Sequence, residues 1–107
     1  MQQMMDATLA ERVGSDKLLR VAEMLKVASH PQRLAILDYL GAHHRVCVRE
    51  LENVLGIEQA NLSQHLTLMR DKGLLTVERV GKFSYYQVAQ PSFLRVIKDL
   101  ERCCEQL

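Results

Sequence analysis

The sequence predicts a mainly α-helical chain with one β-hairpin, and three observations carry that prediction. Two short apolar-periodic segments, beginning at Val48 and Gln59, are separated only by Gly56-Ile57-Glu58. After Gly73 the apolar period changes from that of a helix to that of a strand, over residues 74–79 and 83–88. Helical periodicity then flanks this block on both sides. The 107 residues, 48% hydrophobic and 25% charged, suit one compact domain. Folding at this length buries about two-thirds of the unfolded chain's surface, so dimerisation would add useful apolar burial.

Residues 1–14 are polar and expected to be a mobile segment, with residues 15–107 as the folded domain. Ser15 is placed to cap a helix in which Leu18, Val21, Ala22, Leu25 and Ala28 recur at i, i+3, i+4, i+7 and i+10, one stripe and hence one buried face. Ser29-His30-Pro31 breaks that helix, because proline lacks a backbone donor and suits the first turn of the next. The next helix turns Leu34, Leu37 and Leu40 inward and is expected to end at Gly41.

Residues 48–55 place Val48, Leu51, Val54 and Leu55 on one side of a short helix, closed by Gly56 as a left-handed cap. Residues 59–72 place Leu62, Leu66 and Met69 inward on a helix of about four turns that stops at Gly73. The β-branched and aromatic runs that follow meet at Val80-Gly81-Lys82, with Tyr85 and Tyr86 on opposite faces of the hairpin. Pro91 opens a last helix with Phe93, Leu94, Ile97, Leu100 and Cys104 along its apolar side. This order, helix, tight turn, helix, hairpin, is that of a winged helix-turn-helix.

The outward chemistry of residues 59–72 points to a function. With Leu62, Leu66 and Met69 inward, steps of 100° place Ala60, Ser63, Gln64, Thr67 and Asp71 on or beside the opposite face, and Gln59, Ala60, Ser63, Gln64 and Thr67 are the residues expected to approach bases. A helix entering the major groove of DNA wants such a face: Gln and Ser hydrogen-bond to base edges, and a small residue permits close approach. Arg70, Lys72, Arg79 and Lys82 can neutralise phosphates beside that groove. The chain's net charge is only +1, yet residues 59–86 hold these four cations against Asp71 and Glu78. A merely solvated helix face would more often carry Glu/Lys pairs at i, i+4, and this one has none.

Several functions lack their signatures. There is no Gly-rich phosphate loop, no H-E-x-x-H and no C-x-x-C, which argues against an enzyme and against a thiol oxidoreductase in particular. No apolar run reaches the length of a membrane helix, and the N-terminus lacks the pattern of a signal peptide, so the expectation is a cytoplasmic protein with no membrane partner. Three cysteines, Cys47, Cys103 and Cys104, are an odd count and a poor disulfide framework.

Taken together, Ala28-Ser29-His30-Pro31-Gln32-Arg33-Leu34-Ala35-Ile36-Leu37, Val46-Cys47-Val48-Arg49-Glu50-Leu51, Asn61-Leu62-Ser63-Gln64-His65-Leu66, Arg70-Asp71-Lys72-Gly73-Leu74-Leu75 and Val80-Gly81-Lys82 leading to Tyr85-Tyr86 resemble the ArsR/SmtB family of bacterial transcriptional repressors. The resemblance spans about residues 18–107. It implies a homodimer packed through its first and last helices, bound to a palindromic operator in double-stranded DNA and released by an inducer. It implies no catalytic residue and no required cofactor, the inducer being a metal ion, metalloid or oxidant.

The inducer site is where the sequence departs from the family's patterns. Where many members carry Cys-Val-Cys, this chain has Cys47-Val48-Arg49, so half of that site is missing. The zinc-type site on the last helix needs histidines, and residues 90–107 contain none. Cys103-Cys104 resembles the C-terminal cysteines of arsenite- and redox-responsive members. Cys47 also has a reading of its own: it stands at a helix N-terminus beside Arg45 and Arg49, a setting that favours thiolate, the reactive and metal-binding form. Packing as a small hydrophobe is the competing role for each cysteine.

His43 and His44, shortly before Cys47, raise a mixed His/Cys metal site. His30 is expected to help begin a helix, and His65 to make a phosphate or packing contact. The sequence thus favours a repressor controlled through cysteine thiols, with redox or reactive-sulfur input ahead of arsenite or another soft metal. The alternative from another class is a winged-helix interaction module without an operator.

Overall fold

The structure is a computed structural model describing residues 7–107, so the first six residues of the expected mobile segment lie outside the described residues. Within the remainder of that segment Leu9–Val13 forms a short helix, α1. Thr8 and Glu11 build its capping box, the Thr8 side chain accepting from the Glu11 N–H and the Glu11 carboxylate from the Thr8 N–H. The further elements are α2 (Ser15–Ala28), α3 (Pro31–His43), β1 (Val46–Cys47), α4 (Val48–Leu55), α5 (Gln59–Asp71), β2 (Leu75–Val80), β3 (Phe83–Val88) and α6 (Phe93–Glu105).

Leu37, Leu40, Leu51, Leu62, Leu66 and Met69 close the core between α3, α4 and α5, with Ile36, Leu74 and Leu75 beside them. Placing α4 and α5 at an angle requires the chain to reverse in few residues. Gly56 does this with a φ of 65°, and Ile57 is driven into the core. The antiparallel sheet has the order β1-β3-β2. β3 pairs with β2 from Leu75↔Val88 to Val80↔Phe83, leaving Gly81-Lys82 as a two-residue tip. Tyr86 faces the core, and Tyr85 lies on the other side under the Arg45 guanidinium.

Four expectations change. Ser15 is the first residue of α2 rather than its cap; Gly14 holds that position, without a side-chain bond. α3 does not stop at Gly41 but continues to His43, because the missing side chain is needed for packing: a Cβ there would lie 2.7 Å from Leu94 Cδ2. Residues 46–47, which the sequence left outside any strand, pair with β3 as Val46↔Tyr86 and Cys47↔Tyr85. The stripe on α2 is not buried within one chain. Val27 and Ala28 enter the core, but Val21 and Leu25 keep 46% and 44% of their surface exposed.

On α6 the same holds beyond Phe93, Leu94 and Ile97. Val96 and Leu100 are exposed, as are Cys103 and Cys104. The first and last long helices thus both carry an unpaired apolar face.

Candidate nucleic-acid interface

α5 is capped at its start by Glu58, whose carboxylate accepts from the Ala60 N–H at 3.1 Å, and at its end by Lys72, which precedes the positive φ of Gly73. Its inward side chains, Leu62, Leu66 and Met69, retain no more than 1% of their surface. That anchoring fixes the helix's rotation and leaves Ala60, Ser63, Gln64 and Thr67 exposed together on the far side, with Gln59 exposed at the first residue of the helix. Asn61, which the sequence does not single out for base contact, is exposed as well, one helical turn before Gln64. The signal for it was there: a third amide on the same polar sector.

The four cations divide into two kinds. Arg70 donates to the Asp71 carboxylate at 3.0 and 3.3 Å, and Lys72 pairs with Glu23 of α2 at 3.4 Å. Arg79 and Lys82, at the end of β2 and the hairpin tip, form no ion pair among the described residues. The same end of the hairpin also displays Val80 and Phe83, a cross-strand pair with 47% and 42% of its surface exposed.

His65 is not free to meet a phosphate. It is buried, taking a hydrogen bond from Arg33 at Nδ1 and bonding Gln32 through Nε2. The packing alternative is therefore the correct one. His30 begins α3 as expected: its Nδ1 accepts from the Gln32 N–H at 3.0 Å.

The cysteines occupy two regions. Cys47 caps α4 by position but makes no side-chain cap bond, and it is half-buried in β1. Arg45, one of its two expected cationic neighbours, is committed to Glu78 at 2.7 Å and to the Tyr85 ring at 4.3 Å. A His/Cys site is not assembled here. His43 stacks on Tyr39 with ring centroids 4.0 Å apart and has its Nδ1 on the Tyr39 carbonyl, while His44 turns the chain with a φ of 63°. Among the described residues no group of three or more His, Cys, Asp or Glu side chains could hold a metal ion. No helix among them is long and apolar enough to cross a membrane.

A helix-turn-helix presenting a polar, small-residue face, joined directly to a cationic hairpin, defines a winged-helix DNA-binding protein. A family model described as MarR family matches residues 30–82, from the cap of α3 to the wing tip. The chain is 38% identical over 79 residues to the transcriptional repressor PagR of Bacillus anthracis, covering 74% of this chain and 79% of that protein. The solved structure of PagR superposes with a TM-score of 0.72 at 37% identity, over 78% of this chain and 95% of that one. The arsenical resistance operon repressor of Bacillus subtilis is 29% identical over 94 residues, or 88% and 89% of the two chains. The solved structure of the transcriptional repressor BigR from Xylella fastidiosa gives a TM-score of 0.74 at 30% identity, over 82% and 89%. The chain belongs to the ArsR/SmtB family of bacterial transcriptional repressors. These relatives are transcriptional regulators, not enzymes, and the chain is one of that kind.

Proposed function

We propose that this chain acts as a homodimer that binds a palindromic DNA operator and releases it on a change in its cysteine thiols. In this reading Gln59, Ala60, Ser63, Gln64 and Thr67 approach base edges in the major groove, and Arg70, Lys72, Arg79 and Lys82 engage phosphates. The observation that carries it is the joint exposure of that polar row on a helix whose opposite side is fully buried, next to two wing cations with no acidic partner. Homodimerisation is supported by the unpaired apolar faces of α2 and α6, which carry Val21, Leu25, Val96 and Leu100. Two-fold pairing of the chain would present two α5 helices, which matches a two-fold operator.

For the inducer, a thiol oxidant or reactive sulfur species comes ahead of arsenite or another soft metal. The exposure of Cys103 and Cys104 supports this order, since a diffusing oxidant can reach them. Two thiols lose two protons and two electrons to a peroxide, which becomes two waters, leaving one disulfide.

The test is fluorescence anisotropy on the duplex immediately upstream of the protein's own reading frame, reduced and metal-free, then titrated separately with arsenite, zinc, a persulfide and peroxide. Release by persulfide or peroxide, reversed by reductant and abolished in Cys103→Ser/Cys104→Ser, is expected. Release by arsenite or zinc alone would replace the redox input. Failure to bind any duplex would replace the operator reading with that of an interaction module.

A further inference from the structure

His65 is buried in the middle of α5, and side chains of α3 occupy both of its ring nitrogens. Arg33 Nε–H donates to His65 Nδ1 at 3.1 Å. A guanidinium does not give up its proton, so Nδ1 is the acceptor. The ring proton then sits on Nε2, which donates to Gln32 Oε1 at 2.7 Å. Through Nη1 the same guanidinium donates to the Val27 carbonyl in the last turn of α2, at 2.9 Å. A continuous hydrogen-bonded path therefore runs from the end of α2, through Arg33, into the helix that carries the outward polar row.

We propose that Arg33 and neutral His65 are positioning residues for DNA recognition: together they hold α5 at a fixed attitude to α2. The inference rests on the DNA-binding reading above. Neither residue is exposed on the proposed interface, so both act through the orientation of α5. With α2 on the apolar face offered to a second copy, the pair sets where each recognition helix stands relative to the dimer axis. Arginine suits this task because one rigid, permanently charged fork reaches two elements at once.

Protonation of His65 would place a second N–H on Nδ1, facing the Arg33 Nε–H, and would turn an accepted hydrogen bond into a like-charge contact. The titratable and charged groups facing the ring are Arg33 and His30, both from α3; the His30 ring centroid is 4.8 Å away. From α2 comes the Val27 carbonyl, reached through Arg33. Burial foremost, then the charges of Arg33 and His30, hold the His65 imidazole below the ordinary histidine range. The folded state therefore binds the proton less readily than the unfolded chain does. The contact is complete above the ordinary histidine value of about 6.5 and is lost as pH falls through the depressed folded value.

The test measures anisotropy of the fluorescein-labelled upstream duplex from about pH 7.5 to about pH 5.5 with wild type, His65→Asn and His30→Asn. Asn in place of His65 keeps an acceptor oxygen toward Arg33 and cannot be protonated. Wild type is expected to lose affinity more than about twofold as pH falls, short of the roughly tenfold that a ring of ordinary histidine pKa would give at about pH 5.5, while His65→Asn stays within about twofold. His30→Asn, which keeps a capping oxygen, should lose affinity as wild type does. A parallel loss in wild type and His65→Asn would overturn the proposal. A readout without DNA separates this result from a failure of the operator reading: imidazole ¹⁵N NMR at about pH 7.5 should show His65 as the Nε2–H tautomer. Acidification should also quicken amide exchange in α5 of wild type but not of His65→Asn. A charged ring or an Nδ1–H tautomer would overturn the pair whether or not a duplex binds. If no duplex binds wild type while the tautomer is as expected, the recognition role falls with the operator reading and the helix contact itself stands.

Discussion

Replacing Arg79 and Lys82 by alanine should flatten the salt dependence of duplex binding more than replacing Arg70 and Lys72 does. Each phosphate neutralised on duplex DNA contributes about 0.9 to the slope of log affinity against log salt, through release of condensed counterions. Arg79 and Lys82 carry no acidic partner among the described residues, so both are free to make that contribution. Removing them lowers the slope by about 1.8 per protomer and about 3.6 in a dimer. Over a fourfold rise in salt, that difference shrinks the affinity ratio of wild type to variant by roughly a hundredfold.

Arg70 and Lys72 start from a different position. One is held by Asp71 and the other by Glu23, in exposed pairs worth about 0–1 kcal/mol each. Their carboxylates travel with them, so their net contribution to counterion release should be smaller. Anisotropy titrations over a series of salt concentrations give the slopes directly, and circular dichroism confirms that the variants fold. Equal slopes for wild type and Arg79→Ala/Lys82→Ala would refute the reasoning, since they would mean that the wing never approaches a phosphate.

The same charges make further predictions. Asp71→Asn should raise duplex affinity, because it releases Arg70 and removes a negative charge beside the backbone; weaker binding in anisotropy would show that Arg70 needs Asp71 to aim it. Leu100→Asp should dissociate the dimer in sedimentation experiments while leaving the single chain's melting little changed, because 42% of Leu100 is exposed before any partner arrives. A dimer that persists would move the interface off α6. Gly41→Ala gains about 1 kcal/mol of helix propensity but places its Cβ 2.7 Å from one Leu94 methyl and 3.1 Å from the other, an overpacking that costs about 1–3 kcal/mol. Urea denaturation should show little net change or a loss, with Leu94→Ala relieving the strain in a double-mutant cycle. A clear gain in stability from the single change would contradict the packing.

What the sequence made legible follows from the range of the interactions involved. The helices from α2 onward, the Gly56 turn and the hairpin announce themselves within a window of a few residues, through the 3.6 and 2 periodicities and the turn residues between them, whereas α1 falls in residues expected to be mobile. The polar row on α5 is legible for the same reason, since Leu62, Leu66 and Met69 fix the helix's rotation and the rest follows by geometry. β1 was not legible. Two residues carry no period, and they become a strand only because Tyr85 and Tyr86 lie opposite them. Gly41 reads as a helix stop in one dimension and is a close approach in three, because its reason stands more than fifty residues away at Leu94.

The apolar stripe of α2 and the roles of His65 extend that argument. The stripe predicts a buried face, yet Val21 and Leu25 are exposed, and the surface proposed to cover them belongs to a second copy of the chain. His65, which flanks an apolar stripe, reads as either a phosphate or a packing contact, and Arg33 and Gln32 decide for packing by meeting it from 32 and 33 residues upstream. Covering the α2 stripe with a second copy would place a dimer contact on the helix whose Val27 carbonyl anchors Arg33. The helix that meets its partner would then be joined by hydrogen bonds to the helix proposed to meet DNA. A displacement of α2, whatever chemistry at the cysteines causes it, has a physical path by which to move α5.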